Sequence, residues 1–335
     1  MSHKNTHNLL IAEIGSVHDG SFGNAIKLIH LAKNCGANAV KFQYHISEAE
    51  TTINAPSPNY FQNETRWNYF KRISFSTDQW KILYNEARKL NLKFIVSPFS
   101  NDASINLKKT GIDIFKIASG EITNLPMLEK ISKFKKPVII STGMSTWQEI
   151  TDAIKIFKKN ISDLTVMQCS SKYPCAEEDV GLNIINEIKK KYNCKVGFSD
   201  HTIGYAASIS AAALGAECIE KHLTFHNDMY GSDSLNAMEP HQFKILSKEI
   251  YSTWKMISNP VNKDNISKYK SMRNIFQKSI FLKNNININN KITFEDLDFK
   301  KPGNGISANK YRDVINKRAK KNLFKNHMLK KADFK

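Results

Sequence analysis

Glutamate, lysine, serine and histidine recur where the apolar runs of this 335-residue chain turn polar. In chain order the ends of these runs carry Glu13, Lys41 with Gln43, Ser97, Lys116 with Ser119, Ser141, Ser170 with Ser171, Ser199 with His201, and Glu220 with His222. Serines alone would only mark turning points; carboxylates, lysines and imidazoles on separate runs point to a shared site. Residues two apart on a strand face one side. That pairs Lys41 with Gln43, Ser199 with His201, and Glu220 with His222. His201 and His222 end consecutive runs, so two imidazoles with nearby oxygens could hold a divalent ion, leaving positions open for water and substrate. Lys41 and Lys116 are separated by one run and could converge on an anion. The hydroxyls of Ser119, Ser141 and Ser199 could share it, with backbone N–H groups opening the helices expected after Gly143 and Gly204.

The elements that must position these groups follow from periodicity. Strands are expected over 9–14, 39–43, 94–98, 114–118, 138–142, 164–169, 195–199 and 218–222. Amphipathic helices fall between them, for example over 25–35, 78–90, 147–158 and 205–214. Thr146 with Glu149 three residues later has the form of a capping box. Eightfold strand–helix alternation predicts an α/β fold with a closed parallel barrel, a (β/α)8 or TIM barrel. An open doubly wound sheet lacks support, because no Gly-x-Gly-x-x-Gly turn follows any strand. Active sites of such barrels sit at the C-terminal ends of the strands, where the polar tips are.

Composition narrows the class. Hydrophobic content of 41% and charged content of 24% are ordinary for a soluble globular chain, and a cytoplasmic location is expected. Residues 1–8 are polar and lack the apolar core of a secretory leader. No run approaches the ~18 apolar residues of a membrane span. Five scattered cysteines, an odd number without metal spacing, argue for a reducing compartment rather than a disulfide scaffold. The net charge is +18, and 16 basic against 5 acidic residues from Arg273 onward place +11 in the last 63 positions. No nucleic-acid-binding motif accompanies that charge, so the expected partner is a small anion rather than a nucleic acid or a membrane.

The segments IAEIGSVHDG (11–20), AVKFQYH (39–45), VSPFS (96–100), FKIASGE (115–121), ISTGM (140–144), GFSDHT (197–202), CIEKHLT (218–224) and KKPGNGIS (300–307) together resemble the N-acetylneuraminate synthase family. That family includes legionaminic and pseudaminic acid synthases. The resemblance implies a barrel over 1–258, a linker over 259–272 and a small antifreeze-like (SAF) domain over 273–335. It implies a reaction in which phosphoenolpyruvate condenses with an N-acyl hexosamine such as N-acetylmannosamine, and phosphate leaves. By the same resemblance, Lys41, Ser97, Lys116, Ser119, Ser141, Ser171 and Ser199 line the phosphoenolpyruvate subsite. His201 and His222 hold Mn2+ or Mg2+, and Glu13 and Asp233 handle protons and water. Gln43, Glu121, Tyr173, Asp233 and Lys301 face the sugar, with Lys301 delivered to the neighbouring subunit of a swapped homodimer.

Three departures from the family pattern stand out. Val17-His18-Asp19-Gly20 replaces the usual Asn-His-x-Gly, Ser171 stands where some members have asparagine, and Lys301-Pro302-Gly303 replaces Arg-Pro-Gly. Lysine keeps the charge of arginine but not its planar fork. The aromatic, Asn-rich insertion over 46–76 is expected to carry part of the sugar selectivity. Strand-like runs over 279–282, 286–292 and 297–299 are expected in the tail. The competing readings are another phosphoenolpyruvate–aldose condensing barrel, which would use a phosphorylated sugar and lack the tail, and a non-catalytic carbohydrate-binding relative.

Overall fold

The computed structural model describes residues 8–57, 64–231 and 233–335. Within them the chain divides into two compact units after Asn259. The first is the closed eight-stranded parallel barrel expected from the alternation, with strand order following chain order. Its strands are β1 (Leu9–Gly15), β2 (Ala39–Tyr44), β3 (Lys93–Pro98), β4 (Ile114–Ile117), β5 (Val138–Ser141), β6 (Leu164–Cys169), β7 (Lys195–Asp200) and β8 (Cys218–His222). Each expected strand lies within one residue of the observed one at either end.

The helices form where local chemistry directs them. Thr146 and Ser76 each open a helix through a full capping box, with Glu149 and Gln79 reaching back to the cap N–H. In the helix Trp147–Lys158, Ile150, Ala153, Ile154 and Phe157 recur at three- and four-residue steps and are buried. They join the large cluster between barrel and helices that includes Leu10, Ala12, Val40, Phe42, Phe94 and Phe115. Deleting such a side chain, as in Phe157→Ala, would cost about 3–5 kcal/mol.

The alternate residues point into the barrel. Ile11, Ala39, Ile95, Ile114, Ile139, Met167 and Cys218 form a separate apolar layer there. Gly197 supplies no side chain to this layer; a Cβ there would stand 2.8 Å from Met167 Cγ, whose side chain fills the space. Two residues further along, the interior turns polar on every strand but β6, where Cys169 follows Met167, so the apolar layer is the floor of the site.

The second unit, Pro260–Lys335, has its own core of Ile280, Leu282, Ile286, Ile292, Leu297, Val314, Ala319, Leu323 and Leu329. Strands β9 (Ser279–Leu282) and β10 (Leu297–Lys300) pair antiparallel. The run 286–292, expected as a strand, is instead an irregular segment tied by single bridges, Ile286 to Leu323 and Lys291 to Arg318. Asn287, Asn289 and Asn290 interrupt it, and Asn289 adopts a positive φ of 66° that a continuous strand cannot contain. The stretch expected as a linker over 259–272 carries a 3-10 turn, Ser267–Tyr269, and the start of the helix Lys270–Phe276. No helix among the described residues is long and apolar enough to cross a membrane.

Candidate active site

Parallel pairing brings the strand ends into register. Glu13 stands between Lys41 on β2 and His222 on β8, and Ser199 on β7 stands beside Glu220 on β8. The side chains close into one buried network. Glu13 lies 3.0 Å from Lys41 Nζ and accepts from Gln43 Nε2 at 3.1 Å. Lys41 also reaches Glu220 at 3.3 Å, while Lys116 donates to both Glu220 oxygens at 3.2 and 3.1 Å. Ser199 Oγ donates to the same carboxylate at 3.1 Å. Neither lysine is more than 5% exposed, so neither is a solvated surface charge.

The network separates its carboxylates. Burial raises the Glu13 carboxyl to about 7, and Glu220 and Asp233 add to this against the pull of Lys41. Burial works in the same direction on Glu220, but Lys116 and Lys41 outweigh it and bring that carboxyl down to about 2. Burial alone would lower the Lys41 pKa; Glu13 and Glu220 reverse the effect and raise it. Opposed carboxylate shifts in one cavity are the arrangement that divides acid from base roles.

Several polar atoms around this network have no partner among the described residues: Glu13 Oε2, Ser97 Oγ, Ser141 Oγ and His222 Nδ1. Buried polar atoms are rarely left unpaired, and a cluster of them at a strand-end cavity points to a polar ligand. Ser119 and Ser171 flank Gly143, where a Cβ would collide with both hydroxyls. The helix expected after Gly143 is present, four residues on. The helix begins at Trp147 under its own cap, and the Gly143 N–H donates to Ser119 Oγ at 3.1 Å.

His201 and His222 come together as expected, with ring centroids 5.9 Å apart. His201 Nδ1 lies 2.7 Å from the Ser170 carbonyl, which can only accept, so Nδ1 donates there and Nε2 is left for other partners. Tyr173 OH meets that Nε2 at 2.9 Å, its ring stacked 4.0 Å above the imidazole. Burial lowers the His222 pKa and favours its neutral, ligating form. Among the described residues no three His, Cys, Asp or Glu side chains converge as a metal cage. The two imidazoles, with the buried His222 Nδ1 lacking a partner among the described residues, make a two-ligand set that a divalent ion could share with water or substrate.

Asp233 comes from the loop after β8. Its Oδ2 accepts from Ser16 N at 2.8 Å and Ser16 Oγ at 2.9 Å, and it occupies the space a Cβ would need at Gly15. Burial would raise this carboxyl, but His222 and the Ser16 bonds hold it below the usual range. Glu121 ends the turn after β4, bonds Asn124 Nδ2 at 2.9 Å, and is raised by burial. Val17 is fully buried in the apolar cluster, so the departure there adds core rather than a polar contact. Lys301 belongs to the second unit, exposed, its ammonium 5.2 Å from the centre of the Phe276 ring.

The NeuB family model matches residues 28–262, and the SAF domain model matches 277–335. The chain belongs to the NeuB family. Over 330 residues this NeuB-family chain is 34% identical to an N,N'-diacetyllegionaminic acid synthase of Campylobacter jejuni subsp. jejuni, covering 96% of this chain and 98% of the relative. It is 29% identical to a pseudaminic acid synthase of Helicobacter pylori, covering 97% of each. A crystal structure of a sialic acid synthetase from Leptospira borgpetersenii, in complex with citrate, superposes with a TM-score of 0.71 at 31% identity. The match covers 82% of this chain and 96% of that one. The NeuB-family chain thus stands among synthases of sialic-acid-type sugar acids.

Sequence reasoning passed over three groups that the structure places at or beside the site: Ser16, which anchors Asp233, and the pair His45 and Glu50. Ser16 follows a glycine that ends β1, a faint signal. His45 lies two residues beyond Gln43, so the same period that paired Lys41 with Gln43 could have found it.

Proposed function

We propose that this chain condenses phosphoenolpyruvate with an N-acyl hexosamine, forming a nine-carbon sugar acid and releasing phosphate. The observation that carries the reading is the buried pair Lys41 and Lys116, held on Glu220 among partnerless Ser97, Ser141 and Glu13 atoms. Buried, fixed cations beside unpaired hydroxyls suit a ligand bearing a phosphate and a carboxylate. Lys41, Ser97, Lys116, Ser119, Ser141, Ser171 and Ser199 form that subsite.

The reaction joins the enol carbon to the aldehyde carbon, adds water at the adjacent carbon and expels phosphate; the former aldehyde oxygen gains a proton. Glu13, raised to about 7, holds a proton it can deliver to that oxygen. Asp233, held below the usual range, remains anionic and orients a sugar hydroxyl or the attacking water. His201 and His222 would hold a manganese or magnesium ion, which supplies polarisation of the aldehyde. Gln43, Glu121 and Tyr173 frame the sugar side, and a second copy of the chain brings Lys301 to the acyl group in a swapped homodimer.

Phosphate release from phosphoenolpyruvate, with manganese or magnesium and a panel of N-acyl hexosamines, tests this directly, with mass analysis of the product. Release that needs both a metal and one sugar, with a nine-carbon acid formed, is the expected result. Release with a phosphorylated aldose alone would reassign the chain to another condensing barrel, and none with any sugar would overturn the reading.

A further inference from the structure

His45 is one of the most constrained side chains in the barrel unit, yet the proposed chemistry leaves it without a task. It is 5% exposed, and its ring lies flat between two phenylalanines. Phe70, from the helix Arg66–Ile73, stacks at 3.8 Å with an interplanar angle of 5°, and Phe99 stacks at 4.3 Å and 21°. Nδ1 meets both Glu50 oxygens at 3.0 and 2.9 Å, from the short turn Ser47–Glu50. Nε2 meets Gln43 Oε1 at 3.1 Å, and Gln43 Nε2 donates on to Glu13 Oε1 at 3.1 Å. The Glu50 carboxylate can only accept, so Nδ1 donates to it and Nε2 is the nitrogen that faces the Gln43 amide.

An amide is symmetric enough to flip, and only its partners decide which end faces where. The Gln43 oxygen faces the ring and its NH2 faces Glu13. A flipped amide would set its oxygen against the Glu13 oxygen that takes the Lys41 ammonium. The amide therefore has one orientation as long as the imidazole is fixed, and the stack with the Glu50 pair is what fixes it. Lys41 is the other donor on the same Glu13 oxygen.

We propose that His45 is a positioning residue for Glu13, acting through the Gln43 amide, and that the segment carrying Glu50 and Phe70 thereby sets the donor geometry at the reacting end of the site. Gln43 is then chiefly a frame: one N–H remains for a sugar, while its oxygen and its other N–H are committed. The idea rests on the reading of Glu13 as the proton-handling carboxyl. It gives the 46–76 insertion a second role besides sugar contact; residues 58–63 of that insertion lie outside the described residues.

Turnover of His45→Phe, Gln43→Ala and the double variant forms one arm of the test. His45→Phe keeps an aromatic ring between Phe70 and Phe99 but strands the buried Glu50 carboxylate, so a companion His45→Phe/Glu50→Gln protein, which removes that charge too, separates a loss of turnover from a loss of fold. The expected result is a kcat lower by about ten- to a hundredfold with KM for phosphoenolpyruvate unchanged. The double variant should be no slower than Gln43→Ala alone, because the two residues act in series. Losses that multiply, or a raised KM with kcat intact, would overturn the proposal. The second arm needs no turnover: imidazole 15N resonances of His45 in histidine-labelled protein. Gln43→Ala and Glu13→Gln should each move the Nε2 signal. A signal that ignores Glu13→Gln sinks the link even if the enzyme is active. A signal that moves in a protein that turns nothing over supports the link and sinks only the functional reading.

Discussion

Lys41 and Lys116 close on a single carboxylate, Glu220, at 3.3 and 3.1 Å. Two ammonium groups this close repel each other, and the carboxylate between them makes the arrangement tolerable before any substrate arrives. Replacing it by Glu220→Gln should cost about 3–5 kcal/mol, because buried Lys116 loses its counter-charge and Lys41 keeps only Glu13. Inorganic phosphate should then raise the melting temperature of the variant more than that of the unaltered protein. Equal shifts in the two proteins would mean that the lysines do not face the anion.

Glu13 links stability to pH with a definite sign. Its carboxyl is raised from 4.5 to about 7 in the folded chain, so the folded state keeps a proton that the unfolded chain releases first. Its contribution is full below 4.5 and is lost as pH rises through about 7. Glu13→Gln should therefore match the parent in acid and exceed it in melting temperature above neutrality. As a proton donor, Glu13 should also give kcat a descending limb near 7 that the glutamine variant lacks.

His201→Ala and His222→Ala should each cut metal-dependent turnover by more than about a hundredfold while circular dichroism stays unchanged. Isothermal titration with manganese checks the cause independently of rate. Near-normal binding after either substitution would remove that imidazole from the metal site.

Lys301 is exposed, so Lys301→Ala should change stability by no more than about 0.5 kcal/mol. Its effect should fall on the sugar, as a raised KM for the hexosamine with that for phosphoenolpyruvate unchanged. Lys301→Arg would restore the planar fork and should tighten the sugar step. Identical sugar requirements in all three proteins would leave this lysine without a role in the site.

The barrel was legible because its strands and helices obey two clean periods, and its polar tips because they break those periods at regular places. The grouping of Glu13, Lys41, Lys116 and Ser199 followed from strand order alone. The counter-charge role of Glu220 did not, since nothing in spacing says which of two buried carboxylates the lysines will choose. Asp233 could be placed only through resemblance: it lies in a loop, and its tie to Ser16 spans 217 positions. The helix start at Trp147 was legible because Thr146 and Glu149 carry the capping-box spacing. The 286–292 run failed because its isoleucines alternate with asparagines, one of which turns the backbone to positive φ.

The step of two between floor and site has a consequence for how such a chain can change. Ile95 precedes Ser97, Ile114 precedes Lys116, and Ile139 precedes Ser141, each pair on one inward face. Losing or gaining one residue inside any of these strands would shift its phase by half a period. The polar group would then press into the helical shell, and an apolar neighbour such as Val96, Phe115 or Ile140 would stand in its place at the site. Strand length is therefore a fixed gauge, and variation in what the enzyme accepts is left to the segments between strands, where insertions leave the phase untouched.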